Sequence, residues 1–250
     1  MKRAFDPNSK VSLSVEDYVD REGPKLNHAG EARQRSVMIC YACGLKMHTV
    51  GETGPLRDAL WAHDPDRGAP WCPVKDEGGA KYLLLTPKIP NSDIGSKLRA
   101  TFLANWKGHW GHIQEMAPVP NIHTFVAFIR HADKTDFWEH AGLDEWHIPY
   151  IFLVTCDFPP SSNHNAAAIR PEWLRFRFDA KVRTLEDLWI RTTGAWGFLK
   201  MKYRRPRKGE PTPKHFIDLA PITPDPNFLG RTYPSPHPYQ LKVMFSELKV

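Results

Sequence analysis

The sequence has no long apolar run. No stretch of its 250 residues approaches the roughly 18 consecutive apolar residues that a membrane-spanning helix needs. Residues 1–10 are polar and show no apolar signal region. We therefore expect a soluble protein of the cytoplasm with no membrane partner.

Cysteine is scarce, and two common catalytic motifs are missing. The chain has four cysteines, and a reducing compartment disfavours their use as a disulfide framework. The sequence has no glycine-rich phosphate-binding loop and no G-x-S-x-G nucleophile motif. These absences argue against a P-loop nucleotidase and an α/β-hydrolase.

Proline and glycine, by contrast, are plentiful, at 23 and 16 residues, and they predict short elements with many turns. Hydrophobic residues make up 41% of the chain and aromatic residues 12%, which is enough to form a core. We expect an α+β fold with more strand than helix. Cys40, Cys43, His63 and Cys72 follow a spacing typical of a zinc ribbon, so we expect an N-terminal zinc-ribbon-like module before a mainly antiparallel β domain with a few short helices.

Three segments are expected along the chain: an N-terminal extension (1–34), a zinc module (35–80) and a basic α+β domain (81–250) with a proline-rich C-terminal segment. Helices are predicted at residues 14–21, where Ser14 and Asp17 form a capping pair, and at residues 92–106 and 184–189. Short apolar or alternating runs predict strands at residues 35–39, 81–85, 124–129, 150–155, 173–178, 197–203 and 241–245. In residues 173–178 one face should be buried and the other should carry arginines.

Four residues form a metal-ligand pattern, C-x2-C-x19-H-x8-C, at Cys40, Cys43, His63 and Cys72. Gly44 permits a tight turn directly after the first cysteine pair. Closed structural zinc sites prefer four Cys and His ligands, so we predict zinc as the cofactor. His48 lies closer to the cysteine pair and competes with His63 as the third ligand.

Residues 36–74 resemble the N-terminal zinc-ribbon module of competence CoiA-like proteins. The matching residues are Cys40-x-x-Cys43-Gly44, the aromatic–x–His element that ends at His63, and the Cys-Pro pair at Cys72. A looser resemblance, in size, cysteine pair and basic second half, is to the zinc-finger large subunits of type IV CRISPR effectors. That resemblance implies a place in an RNA-guided complex near target DNA.

Positive charge is concentrated in one region. Residues 170–214 hold thirteen Lys and Arg against five Asp and Glu, and a local patch of this kind favours binding to DNA or RNA. Aromatic residues are interleaved with the charges, although ordinary burial preference assigns most of them to the core. The predicted nucleic-acid-binding residues are Arg175, Arg177, Lys181, Arg183, Lys200, Lys202, Arg204, Arg205, Arg207 and Lys208.

Two weaker patterns invite a catalytic interpretation. Asp157, Asp179 and Lys181 follow the D…D-x-K order of restriction-type nucleases, which hold Mg²⁺ with two carboxylates. A D-x-K tripeptide is frequent by chance, so ordinary surface charge is favoured. The histidines between residues 109 and 147 show no convincing ligand spacing, and we expect them to be half-buried or at the surface.

The leading hypothesis is a zinc-stabilised, non-catalytic nucleic-acid-binding protein that works with other protein subunits in a nucleoprotein assembly such as a CRISPR effector. The alternatives are a metal-dependent nuclease related to CoiA-like proteins and a protein-interaction module of a mobile element.

Overall fold

The computed structural model describes residues 1–64, 72, 74, 85–118, 120–162, 169–190 and 196–248. Two antiparallel sheets, of five and three strands, combine with helices, so the predicted α+β class is confirmed. Among the described residues more lie in helices than in strands, so the expectation of more strand than helix was wrong. No helix within these ranges is long and apolar enough to cross a membrane.

The five-stranded sheet is formed by the N-terminal part of the chain. Its strands are β1 (Arg3–Asp6), β2 (Val11–Ser14), β3 (Met38–Ile39), β4 (Lys46–Val50) and β5 (Leu60–His63), in the order β2-β1-β3-β4-β5. Helix α1 (Val15–Glu22) begins as predicted, with Ser14 and Asp17 in a reciprocal capping box. The proposed boundary at residue 34 stays a prediction, but β1 and β2 pair into the same sheet as the strands that carry the cysteines.

The three-stranded sheet has the order β10 (Phe216–Ile222), β9 (Phe198–Tyr203) and β8 (Trp173–Phe178). Strands β8 and β9 lie where they were predicted, and β10 arises from the proline-rich segment. A separate short pair, β6 (Ser161–Ser162) and β7 (Ile169–Arg170), precedes them.

The helices of the second part are α2 (Ser92–Ala104), α3 (Trp106–Met116), α4 (Ile122–Lys134), α5 (Ile148–Thr155), α6 (Asp187–Ile190) and α7 (Pro238–Leu248). Single turns of 3₁₀ helix lie at Leu56–Asp58, Phe137–Glu139, Glu145–His147, Pro213–His215 and Phe228–Gly230.

Three of the predicted strands are wrong. Residues 124–129 lie in α4, 150–155 in α5 and 241–245 in α7. All residues from Ile148 to Val154 are buried, and a helix surrounded by protein shows the same unbroken apolar run as a buried strand. Most of the strand predicted at residues 81–85 lies outside the described residues.

The central strand β9 has apolar side chains on both faces. Phe198 packs into the core of the helices, whereas Leu199, Met201 and Tyr203 pack into a second core formed with the N-terminal sheet. The alternation predicted for β8 is present, but its second face is not exposed. Arg175 and Arg177 are the cross-strand neighbours of Met201 and Leu199, and they therefore lie on the face that the second core covers. Both arginines are buried, at 6% and 8% exposure. The expectation of a solvent-exposed arginine face was therefore wrong.

Four histidines are also more buried than expected: His109, His112, His140 and His147. Each has a hydrogen-bond partner, namely Glu145, Tyr150, the carbonyl of Leu85 and the backbone N–H of Asp144, respectively. Burial lowers the pKa of all four rings, because the charged imidazolium loses its hydration. His123 and His131 are exposed, as expected.

His147 makes the fold sensitive to acid. Burial lowers its pKa from 6.5 to about 4. The unfolded chain therefore takes up the proton first, and stability is lost as the pH falls through this interval. Between pH 7 and pH 4 the free energy of unfolding should fall by about 3 kcal/mol more in the parent than in His147→Gln. Denaturant unfolding at several pH values measures this difference, and parallel pH profiles for the two proteins would contradict it.

Candidate metal centre

The first two ligand candidates lie in the tight connection between β3 and β4. The N–H of Gly44 donates to the carbonyl of Cys40 at 2.7 Å, and the N–H of Cys40 donates to the carbonyl of Leu45 at 2.8 Å. Gly44 has a φ of +72°, a left-handed conformation that favours glycine. The turn expected from the C-x-x-C-G pattern is therefore present, and it brings Cys40 and Cys43 to the same end of the sheet.

The other two candidates reach the cysteine pair from β5 and from the segment beyond it. His63 is the last residue of β5 and pairs with Met47 in register. The Nε2 of His63 lies 3.4 Å from the Sγ of Cys43, and the Sγ of Cys72 lies 3.9 Å from the Sγ of Cys40. The ligand atoms of all four residues lie within 4.8 Å of one another, so the group can hold a metal ion.

The alternative ligand His48 does not join this group. It follows Met47 on β4, pairs with Ala62, and is exposed. Since successive side chains of a strand point to opposite faces, His48 lies on the face opposite to His63. Strand pairing thus distinguishes between the two histidines that sequence spacing left as alternatives for the third ligand.

None of the four cysteines forms a disulfide. The pKa of the Cys40 thiol is raised, first by its hydrogen bonds with Cys43 and Cys72 and then by its burial. Adjacent thiols in a buried place resist ionisation, and a bound cation reverses this balance by favouring the thiolates. Cys156 is apart from the group, and burial raises the pKa of its thiol to about 12.

A backbone hydrogen bond and apolar packing join the candidate metal centre to the three-stranded sheet. The N–H of Ala180, just after β8, donates to the carbonyl of Ala42 between the two cysteines at 2.9 Å. Cys40 and Cys72 belong to the same buried cluster as Met201 and Tyr203 of β9. Sequence spacing gave no sign of this contact, because it joins residues more than a hundred positions apart.

Two of the predicted nucleic-acid-binding residues are buried and bind partners inside the protein. Arg175 forms a two-pronged ion pair with Asp157 at 2.7 and 2.9 Å and contacts Glu210 at 2.9 Å. Arg177 donates to the carbonyls of Val154 and Phe176.

The other eight cations lie nearer the surface. Lys200 is half-buried and donates to the carbonyl of Met116 at 2.6 Å, and burial lowers its pKa. Lys202 is also half-buried. The exposed members are Lys181, Arg183, Arg204, Arg205, Arg207 and Lys208.

The carboxylates of the D…D-x-K pattern have structural partners. Asp157 is paired with Arg175, and Asp179 accepts hydrogen bonds from the backbone N–H groups of Lys181 and Gly197. Within the described ranges, the Cys/His group is the only set of three or more potential metal ligands that lie together.

Comparison of the chain with protein-family models, with curated proteins and with solved structures found no significant match. Its function is therefore argued from its own residues.

The two candidate histidines, His63 and His48, give a matched test of the metal centre. His63→Ala should lower the metal bound per chain and the melting temperature, because the remaining cysteines leave the coordination shell open. His48→Ala removes an equivalent ring from the other face and should change neither quantity. Elemental analysis and thermal unfolding of the two purified variants measure both effects. Equal metal content in the two variants would contradict the assignment of His63.

Proposed function

We propose that this chain is a zinc-stabilised nucleic-acid-binding protein that acts as a non-catalytic subunit of a nucleoprotein assembly, with a CRISPR effector as one candidate. The observation that carries the proposal is the exposed basic loop after β9, supported by the arrangement of the metal ligands.

Zinc is the metal favoured by the donor set. Three sulfurs and one imidazole nitrogen form a common structural zinc site. With sulfur at about 2.3 Å and nitrogen at about 2.0–2.1 Å from the ion, a tetrahedron has S···S edges of about 3.8 Å and S···N edges of about 3.6 Å. The corresponding separations here are 3.9 and 3.4 Å. These two separations are close to the edges of a zinc tetrahedron, which supports zinc as the metal.

The basic loop connects β9 to β10 and contains Arg204, Arg205, Arg207 and Lys208. All four are exposed, and no acidic residue lies among them. The first acid beyond them, Glu210, contacts the buried Arg175 at 2.9 Å. The loop therefore presents a dense positive charge, which suits the phosphate backbone of DNA or RNA.

The loop is held at both ends. The N–H of Arg204 donates to the carbonyl of His215 at 2.8 Å, and the N–H of Thr212 donates to the Nδ1 of His215 at 3.1 Å. Lys181 and Arg183 add exposed charge beside the metal centre.

The structural roles of Asp157 and Asp179 support a binding role over a nuclease role. The first neutralises a buried arginine, and the second accepts two backbone hydrogen bonds. A carboxylate with such partners is less available to ligate Mg²⁺. The looser resemblance to CRISPR large subunits supports the further step from a binding protein to a subunit of an assembly.

Neutralising the basic loop tests the proposal. Changing Arg204, Arg205, Arg207 and Lys208 together to Gln should weaken binding to duplex DNA and flatten the slope of log affinity against log salt by about three to four. The matched control changes four exposed helix lysines, Lys97, Lys107, Lys134 and Lys242, to Gln, which removes the same formal charge. Fluorescence anisotropy across a salt series measures both slopes.

If the slopes of log affinity against log salt were equal for the two quadruple variants, the basic loop would not be part of the nucleic-acid interface. A parent protein that binds neither DNA nor RNA at low salt would instead favour the protein-interaction module. Mg²⁺-dependent cleavage that Asp179→Ala abolishes would favour the nuclease.

A further inference from the structure

An aromatic pair stands at the surface beside the metal centre. Tyr41 lies between the ligands Cys40 and Cys43 and is 42% exposed. Its ring meets that of Phe5 edge-to-face, with centroids 5.0 Å apart and an angle of 84° between the planes. The backbone on both sides of Tyr41 is restrained by ligand residues and by the turn at Gly44. The ring is therefore a large apolar surface held in place while in contact with solvent.

Cavities lie on both sides of this pair. One, of about 580 Å³, lies between the metal-binding turn and the connection after β8, and Lys181 and Arg183 line it. The other, of about 420 Å³, extends towards Phe216 and Leu219 on β10 and is lined by Arg3 and Lys10. Tyr41 and Phe5 line both cavities, so the two meet at the aromatic pair.

The charges along these cavities are mainly positive. Arg3 also donates to the carbonyl of Ser12 and lies 4.0 Å from Asp17. The one carboxylate that lines either cavity, among the described residues, is that of Asp179. It accepts hydrogen bonds from the N–H groups of Lys181 and Gly197. The surface thus presents cations, then an aromatic face, then cations again.

We propose that this surface, which we call the Tyr41 groove, binds single-stranded nucleic acid, with a base stacked on Tyr41 and the flanking phosphates near Arg183 and Lys181 on one side and Arg3 and Lys10 on the other. The alternation of charge and ring matches the alternation of phosphate and base in a single strand. A duplex keeps its bases stacked on one another, and the carboxylate side chains of an acidic peptide have no flat ring to place on the tyrosine.

The inference rests on the proposed nucleic-acid function but uses residues other than those of the basic loop. Tyr41 lies between two candidate metal ligands, so a bound metal would add to the order of the ring. Single-strand binding in the Tyr41 groove should therefore be lost when the metal is removed.

The test uses the full-length, metal-loaded protein and two probes, a single-stranded DNA 12-mer with a central 2-aminopurine and the same sequence as a duplex. Tyr41→Ala should weaken single-strand binding by about 5- to 150-fold and abolish the stacking-dependent quenching of 2-aminopurine, because the ring is lost. Duplex affinity should stay within twofold. Tyr41→Phe keeps the ring and should restore both single-strand signals.

Metal content, measured for each variant, shows that the centre is intact. If the parent binds the single strand and Tyr41→Ala binds it equally well, the Tyr41 groove is excluded while the proposed function stands. If the parent binds neither probe at low salt, and does not bind the same 12-mer made as RNA, the proposed function itself fails. Tyr41-dependent binding of poly-glutamate as tight as that of the 12-mer would replace the nucleic acid with an acidic protein partner.

Discussion

The structure depends on burial of β9 from both sides. Phe198 contributes to the core of the helices, while Leu199, Met201 and Tyr203 contribute to the core beneath the metal-binding sheet. The apolar side chains of β9 are covered on both faces, so its neighbours must be arranged around it. Arg175 and Arg177 on β8 show the consequence, since their charged groups are enclosed and need partners within the protein.

The candidate metal ligands and an apolar cluster occupy the same N-terminal part of the chain. Strand β3 has only two residues, and the strands around it are short. The four candidate ligands bring the ends of β3 and β5 close to Cys72, and a bound ion would stabilise this region, which is rich in turns. Cys40 and Cys72 are also members of the buried cluster that includes Met201 and Tyr203. Loss of the metal would therefore disturb the contact between the two sheets as well as the turn itself.

The metal-ligand set was the feature best predicted from sequence, because C-x-x-C-G fixes a local geometry and closed sites need four ligands. The choice between His48 and His63 required strand register, which spacing does not give. The capping box at Ser14 and strands β8 and β9 followed from local patterns. Helix α5 was missed because complete burial removes the periodicity that separates helix from strand. The burial of Arg175 and Arg177 was missed because amphipathic alternation shows which residues share a face, and not what covers that face.

The ion pairs of Arg175 have an effect beyond the interior. This residue connects Asp157 to Glu210 and also donates to the carbonyl of Pro211, so it ties the far end of the β9–β10 loop to the body of the protein. Part of the conformational entropy of that loop is therefore given up when the chain folds. A partner that meets the loop has less ordering left to impose, and the association is correspondingly more favourable. Arg175 thus preorganises the loop without reaching the surface itself.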